Sequence, residues 1–442
     1  MTKHIPSGDI SLLKRDEGDI KAEDLEFFLS QYVPHNNGKR KYIIRDFLTE
    51  YFQDYCTRHP VPEEKLKVMN ALIACKTGRL GYTLVECKSC GRVEMNACAC
   101  GNRNCPSCGH LKEQQWIAMR QAEVIKGIPY FHLTFTLPHH LTALIYQNQK
   151  EMLNLLFHSV KDTILALSRD KLGMTPGILM NLHTFGSNLH LHYHIHVLVS
   201  GGGLTADQKE FKKCLSSQFF LPQKAISRVY KGKFMDGMKQ LRNTGKLQYA
   251  GDCLKYRNSY EWKELLNACY EPEWNVDIKS LVPVMPEWNG ASGGETVEDA
   301  MRYLARYTNR TAISDSRILG YDENGIRFKY KAYDHSGYST EIMKLKPDEF
   351  IRRFLTHLLP KGFMRVRAAG FLAGCVRQKN LELIHRLLAQ PYTPHPAKSM
   401  TAAELLKYFY GRDITKCQRC HSEVEIYHRV HVADAANRIR AA

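Results

Sequence analysis

Four histidines stand at alternate positions in "LHLHYHIHVLVSGGG" (189–203): His190, His192, His194 and His196. A β-strand sends alternate side chains to one face, so a strand here sets four imidazoles in one row. Imidazole is the commonest metal ligand near neutral pH, and two histidines at i and i+2 can share one divalent ion. The glycines that follow "VLV" read as a turn. The helical counterpart is "YLARYTNR", where Tyr303 and Tyr307 are four apart and share one helix face, with Arg306 and Arg310 beside them. A phenol is a weak nucleophile at pH 7, but it can attack a phosphodiester held by a metal and cationic side chains. The tyrosine oxygen displaces a 3′ oxygen, and the covalent phosphotyrosine stores the bond for rejoining. Histidine row, paired tyrosines and a basic surface together fit cleavage and joining of single-stranded DNA.

A second chemistry lies in "CKSCGRVEMNACACGNRNCPSCG" (87–109). Cys87 and Cys90 form one CxxC pair and Cys105 and Cys108 another, with fourteen residues between the pairs. Two such knuckles can meet as a tetrahedral thiolate cage for Zn²⁺. Cys98 and Cys100 lie between them and are alternative ligands. A closed cage has no open coordination position, so this zinc folds its module rather than catalyses. The tail holds "CQRCHSEVEIYHRVH", where Cys417, Cys420, His428 and His431 have spacing for a second zinc site. The competing reading is a solvated tail.

These residues need elements to position them. Residues 1–80 show helical spacing in "YIIRDFLTEYFQDY" and "EEKLKVMNALIACK". Residues 81–127 make a zinc-binding module that ends in a helix from about Leu111 to Lys126. "PYFHLTFTL" (129–137) alternates like a strand, and 138–172 has helical periodicity. "GILMNLHTFG" and the histidine segment read as two antiparallel strands joined by a short turn. A lysine-rich, mostly helical insertion spans about 205–272, and "NVDIKSLVPV" (275–284) resumes the strands. A helix is expected over 295–312, with Thr296 at its N-cap. "SRILGYDENGIRFKYKAYD" forms a hairpin, and "PDEFIRRFLTHLLP" (347–360) another helix. The catalytic region is thus 128–390, and 391–442 is a polar, loosely attached tail.

Composition narrows the partners. The 442 residues carry 62 Lys+Arg against 45 Asp+Glu, a net charge of +17. Such a balance suits a polyanion, most simply nucleic acid, because many phosphates reward many cations through counterion release. Residues 301–387 hold seventeen of the cations and only eight acids. No secretion signal precedes the mixed charges of the first thirty residues. The longest uncharged run, Leu172–Ala206, contains five histidines and is a poor membrane span. Fourteen cysteines without such a signal indicate a reducing compartment, the cytoplasm, where CxxC pairs hold metal.

Five ordered blocks resemble one family. They are "CKSCG…CGNRNCPSCG", "PYFHLTFTLPHHL", "HTFGSNLHLHYHIHVLVSGGGL", "YLARYTNRTAISDSRI" and "FIRRFLTHLLPKGFMRVRAAGFLA". The chain resembles the IS-ninety-one family of transposases, rolling-circle enzymes among the His-hydrophobic-His tyrosine nucleases. The resemblance implies an α+β fold, a central antiparallel sheet flanked by helices, preceded by a helical and zinc-ribbon-like module. It implies that His194 and His196 are the metal pair and Tyr303 and Tyr307 the nucleophiles, with Mg²⁺ or Mn²⁺ as the catalytic ion. His192 shares their face, as a third ligand or as a neighbour that supports the pair. Imidazole ligands by themselves suit Mn²⁺ better than Mg²⁺. The implied partners are single-stranded DNA and insertion-sequence ends, met in the bacterial cytoplasm at the nucleoid and at no membrane. One departure is "RVRAAG" (365–370), where a bulkier, more polar pair before the glycine is expected for local DNA contact. The alternatives are a replication initiator or relaxase with the same site, and a catalytically inactive zinc-ribbon DNA-binding relative.

Overall fold

The computed structural model describes residues 19–20, 43–281, 312–334 and 337–432. Strand β1 (Asp19–Ile20) precedes helices α1 (Ile43–Arg58) and α2 (Glu63–Ala74). Strands β2 (Tyr82–Glu86) and β3 (Val93–Ala97) flank the first cysteine pair, and α3 (His110–Gln121) follows the last. The apolar alternation of 129–137 becomes β4 (Tyr130–Thr136), and the helical stretch after it becomes α4 (Thr142–Gln147) and α5 (Gln149–Leu172). The histidine hairpin is β5 (Thr175–Phe185) and β6 (Leu191–Leu204). The insertion contains a short β7 (Phe211–Lys213) and helices α6 (Gln223–Asn243) and α7 (Ser259–Tyr270), and β8 (Val276–Leu281) closes the segment. The helix expected over 295–312 falls, but for its last residue, outside the described residues. Beyond it come β9 (Ile318–Asp322), β10 (Gly325–Asp334), β11 (Gly337–Leu345), α8 (Pro347–Thr356) and β12 (Val366–Gly370). Helices α9 (Arg377–Leu387) and α10 (Ala402–Tyr410) and strand β13 (Glu425–Val432) complete the described residues, an α+β protein as its sequence indicates.

Chain contacts gather these elements into two compact units. The unit of Trp116–Thr308 and Arg353–His395 is built on an antiparallel sheet of order β12-β5-β6-β4-β8, with β7 added along β6. Its two faces follow from alternation. Tyr193, Ile195, Val197 and Val199 of β6 bury one face with Leu133 and Phe135 of β4 and Met180 and Leu182 of β5. Helix α5 supplies the opposing stripe of Met152, Leu153, Leu156, Phe157, Val160 and Ile164, spaced three and four apart. Tyr230, Phe234 and Met238 of α6 and Trp262 of α7 extend this core, so the insertion is a structural layer of the fold. The other face is divided. Leu179 and Leu198 meet Leu381 and Ile384 of α9 at one end, and the histidines hold the rest.

The glycine run after "VLV" is no turn, because β6 continues through Gly201–Gly203 to Leu204. A Cβ on Gly203 would land on the Thr175 carbonyl, so the strand stays in the sheet only without a side chain there. The "RVRAAG" departure has a packing cause as well. Ala368 and Ala369 pair with Leu179 and Ile178 within the sheet, and the Arg367 guanidinium stacks 4.1 Å over Phe157.

The other unit comprises Met1–Gln115, Asn309–Arg352 and Pro396–Ala442. It holds a sheet of order β11-β10-β9 and a second of order β1-β13-β2-β3. Phe47 of α1 packs edge-on against Tyr321 and Phe350, and Arg58 donates to Asp348 from Nη1 at 2.6 Å and from Nη2 at 3.0 Å. The tail is expected from sequence to be loosely attached, but its described residues, through Val432, are built into regular structure. Thr401 and Glu404 make a capping box at the start of α10, and β13 runs antiparallel beside β2.

Candidate functional site

The sheet register builds the histidine site. On β6, His194 and His196 face the same side, and His183 of β5 lies directly across the ladder from His194. The three rings converge, with centroids 5.0 Å apart for His183–His194, 4.3 Å for His183–His196 and 4.9 Å for His194–His196. One ring nitrogen of each lies within 4.8 Å of the others, a spacing that can hold a metal ion. His192 shares the face by alternation, but its side chain is exposed and it is not part of this group. It contributes through the main chain, since His194 Nδ1 lies 3.0 Å from the His192 carbonyl oxygen. That bond fixes the tautomer and leaves the far nitrogen of His194 for a ligand role. His190 stands at the hairpin turn, where its amide donates to Asn188 at 3.1 Å.

Strand β4 supplies the support. His132 Nε2 lies 3.0 Å from His196 Nδ1, and Thr134 Oγ1 lies 3.2 Å from the same atom. These neighbours orient His196 as metal ligands are commonly oriented from behind. Burial pushes the His194 imidazole down to about 3 and holds His183 and His196 well below the usual histidine range. All three are therefore neutral at pH 7, the form that donates a lone pair to a metal. Arg365 adds positive potential at His183, and Lys279 adds it at His196. The chemistry this permits is metal binding beside an anionic substrate. Tyr303, Tyr307, Arg306 and Arg310 lie outside the described residues. The sequence reading missed His183 and His132. Each is a single histidine in an ordinary strand pattern, and only the strand register reveals its neighbours.

The cysteines pair differently from the expected cage. Cys105 and Cys108 do not share a group with Cys87 and Cys90. They gather with Cys100 and with Cys75, which closes the C-terminal end of α2. Cys100 Sγ and Cys108 Sγ are 3.6 Å apart, and the Cys100 amide donates to Cys75 Sγ at 3.4 Å. Cys98 belongs to neither group and lies 3.9 Å from Thr83 Oγ1. The partners of Cys87 and Cys90 are Cys417 and Cys420 of the tail. His428 and His431, expected to complete the tail pair, stand within β13, and their side chains lie outside what the structure describes. The cause of the cysteine grouping is topological: β13 pairs with β2, so the knuckle entering one strand meets the knuckle leaving the other. Cys75 was hidden in the sequence because it stands alone, with no second cysteine at knuckle spacing.

Comparison with known proteins places the chain. Residues 177–380 match the family described as "Putative transposase", and residues 47–137 match the "Transposase zinc-binding domain". The "Putative transposase y4qJ" of Sinorhizobium fredii is 33% identical over 384 residues, covering 86% of this chain and 92% of that protein. The transposase for insertion sequence element IS801 of Pseudomonas savastanoi pv. phaseolicola is 27% identical over 386 residues, covering 86% and 88%. A solved conjugative relaxase TrwC, in complex with oriT DNA and copper-bound, aligns at 11% identity and a TM-score of 0.22, over 43% of this chain and 71% of that one. The matched models define a transposase with a zinc-binding domain at its front. The chain belongs to the IS-ninety-one family of transposases. Its partner is accordingly DNA. Among the described residues no helix is long and apolar enough to cross a membrane.

Proposed function

We propose that this transposase nicks and rejoins single-stranded DNA at the ends of its element, in rolling-circle transposition, through a covalent 5′-phosphotyrosine link. The observation that carries the reading is the convergence of His183, His194 and His196, buried and neutral, on one sheet face. Three imidazoles suit a divalent ion such as Mn²⁺ better than Mg²⁺, for which phosphate oxygens and water must supply the hard ligands. When bound, such an ion supplies Lewis-acid polarisation of the scissile phosphate.

The chain's own residues do the rest. His132 and Thr134 hold the His196 ring, and the His192 carbonyl holds that of His194. Lys279 and Arg365 favour an anionic phosphodiester beside the imidazoles. Tyr303 or Tyr307 supplies the nucleophile. Its phenolic oxygen bonds to phosphorus, the bond from phosphorus to the 3′ oxygen breaks, and the departing oxygen takes up a proton. In rejoining, a 3′ hydroxyl attacks the phosphotyrosine and the phenol is restored. Arg306 and Arg310 hold flanking phosphates. The Cys75, Cys100, Cys105 and Cys108 group holds a structural Zn²⁺, since four thiolates leave no open position. The work is done in the bacterial cytoplasm, at the nucleoid.

The test is to incubate the full chain with labelled single-stranded element ends and Mn²⁺, then look for a denaturation-resistant adduct. The wild type forms it, Tyr303→Phe and Tyr307→Phe each lose a distinct strand-transfer step, and the double variant forms none. An adduct that survives in the double variant overturns the choice of nucleophiles. Equal nicking of plasmid origins and element ends indicates an initiator or relaxase instead.

A further inference from the structure

We propose that Cys87, Cys90, Cys417 and Cys420 form a second, separate zinc centre that fastens the C-terminal segment onto the zinc-binding module. The matched zinc-binding domain spans 47–137, so half of this ligand set lies far beyond it. Cys87 Sγ is 3.3 Å from Cys420 Sγ, and Cys90 Sγ is 3.6 Å from Cys417 Sγ. Four thiolates at about 2.3 Å from a tetrahedral Zn²⁺ stand roughly 3.8 Å apart, close to these separations. A disulfide would need about 2.0 Å, and all four are free thiols.

The backbone at both pairs has one design. The Gly91 amide donates to the Cys87 carbonyl at 2.9 Å, and the Cys87 amide donates to the Arg92 carbonyl at 2.8 Å. In the tail, the His421 amide donates to the Cys417 carbonyl at 3.0 Å, and the Cys417 amide to the Ser422 carbonyl at 2.8 Å. The residue after the second cysteine has positive φ in both turns, 68° at Gly91 and 60° at His421. Glycine takes that conformation without steric cost, whereas a histidine there is strained and persists only where its surroundings hold it. The tail therefore holds a strained turn in the shape that brings both of its sulfurs to the pair on the other side. The Arg419 amide also points at Cys417 Sγ, at 3.4 Å.

The strands bring the two turns together. Glu425 of β13 pairs with Glu86 of β2, at the point where each strand adjoins its knuckle. Two carboxylates opposite one another repel, and Lys88 lies between them, with Nζ 3.3 Å from each. The ladder, the lysine and the four sulfurs thus form one closed joint between positions more than three hundred residues apart. A thiolate set of this kind selects zinc over the oxygen-preferring ion expected at the histidines. The joint is independent of the strand-transfer chemistry proposed above.

The experiment is metal analysis of the full-length protein purified under reducing conditions. Two Zn²⁺ per chain are expected in the wild type and in the His428→Ala/His431→Ala variant, and one in Cys417→Ser/Cys420→Ser. X-ray absorption at the zinc edge of the wild type, which needs no variant to fold, should give four sulfurs per zinc. One zinc in the wild type, two retained after loss of Cys417 and Cys420, or nitrogen ligands averaged into the zinc shell would each overturn the proposal.

Discussion

His183 and His194 face each other across the β5–β6 ladder, with ring centroids 5.0 Å apart and planes at 82°. Such a pair, closed by His196, offers His183 as a candidate third ligand where the sequence offered His192. His183→Ala should weaken Mn²⁺ binding, followed by paramagnetic resonance of free Mn²⁺, and slow nicking by about 10²-fold or more. His192→Ala keeps the carbonyl that holds His194, so it should leave metal affinity within a few fold. A reversed order of effects would return the third place to His192.

The same burial sets a pH dependence for the metal-free protein. Imidazoles held below their usual range bind fewer protons in the folded chain than in the unfolded one, whose histidines titrate near about 6.5. Stability is then fully present above that value and falls as pH drops through and below it. Melting of chelator-treated protein should shift down by more than about 4 °C between pH 7.5 and 5.5. His183→Gln should flatten the dependence.

Gly203 occupies a position where backbone replaces side chain. Gly203→Ala should cost about 1–3 kcal/mol by overpacking, read from urea denaturation. The same change at Gly232 of α6, where a Cβ meets nothing within 4 Å, should be neutral or stabilising.

A basic face lies on the sheet of β9–β11. Arg327, Lys329 and Lys331 alternate along β10 and are exposed, with Lys344 opposite Arg327, while Phe328 between them is buried. If these cations meet phosphates, replacing all three on β10 with alanine should reduce the salt slope of single-strand binding by about 2. A filter-binding series across salt concentrations measures this, and an unchanged slope would exclude the face from the interface.

Much of this molecule was legible because local pattern and fold agree. The alternation in 129–137 and 177–200 marks out β4, β5 and β6, and in the structure Tyr193 lies in the core on the face opposite the histidines. What stayed hidden depends on pairing between distant strands. His183 and His132 become neighbours of His194 and His196 only through register. Cys75 joins its group through the packing of α2, and the tail cysteines join theirs through β13. The glycine run misled because an interior glycine and a turn glycine look alike in a sequence.

The pairing of β13 with β2 has a consequence for synthesis on the ribosome. Strand β2 can take β3 as soon as residue 97 emerges, but its other edge belongs to residues 425–432. At about 5–20 residues per second, the ribosome needs on the order of tens of seconds to deliver them. During that interval a nascent chain carries an open strand edge, with Cys87 and Cys90 beside it and their partner thiols not yet made. Any factor that shields such an edge, or keeps those thiols reduced, would act on the unfinished protein and have nothing left to hold once the last strand docks.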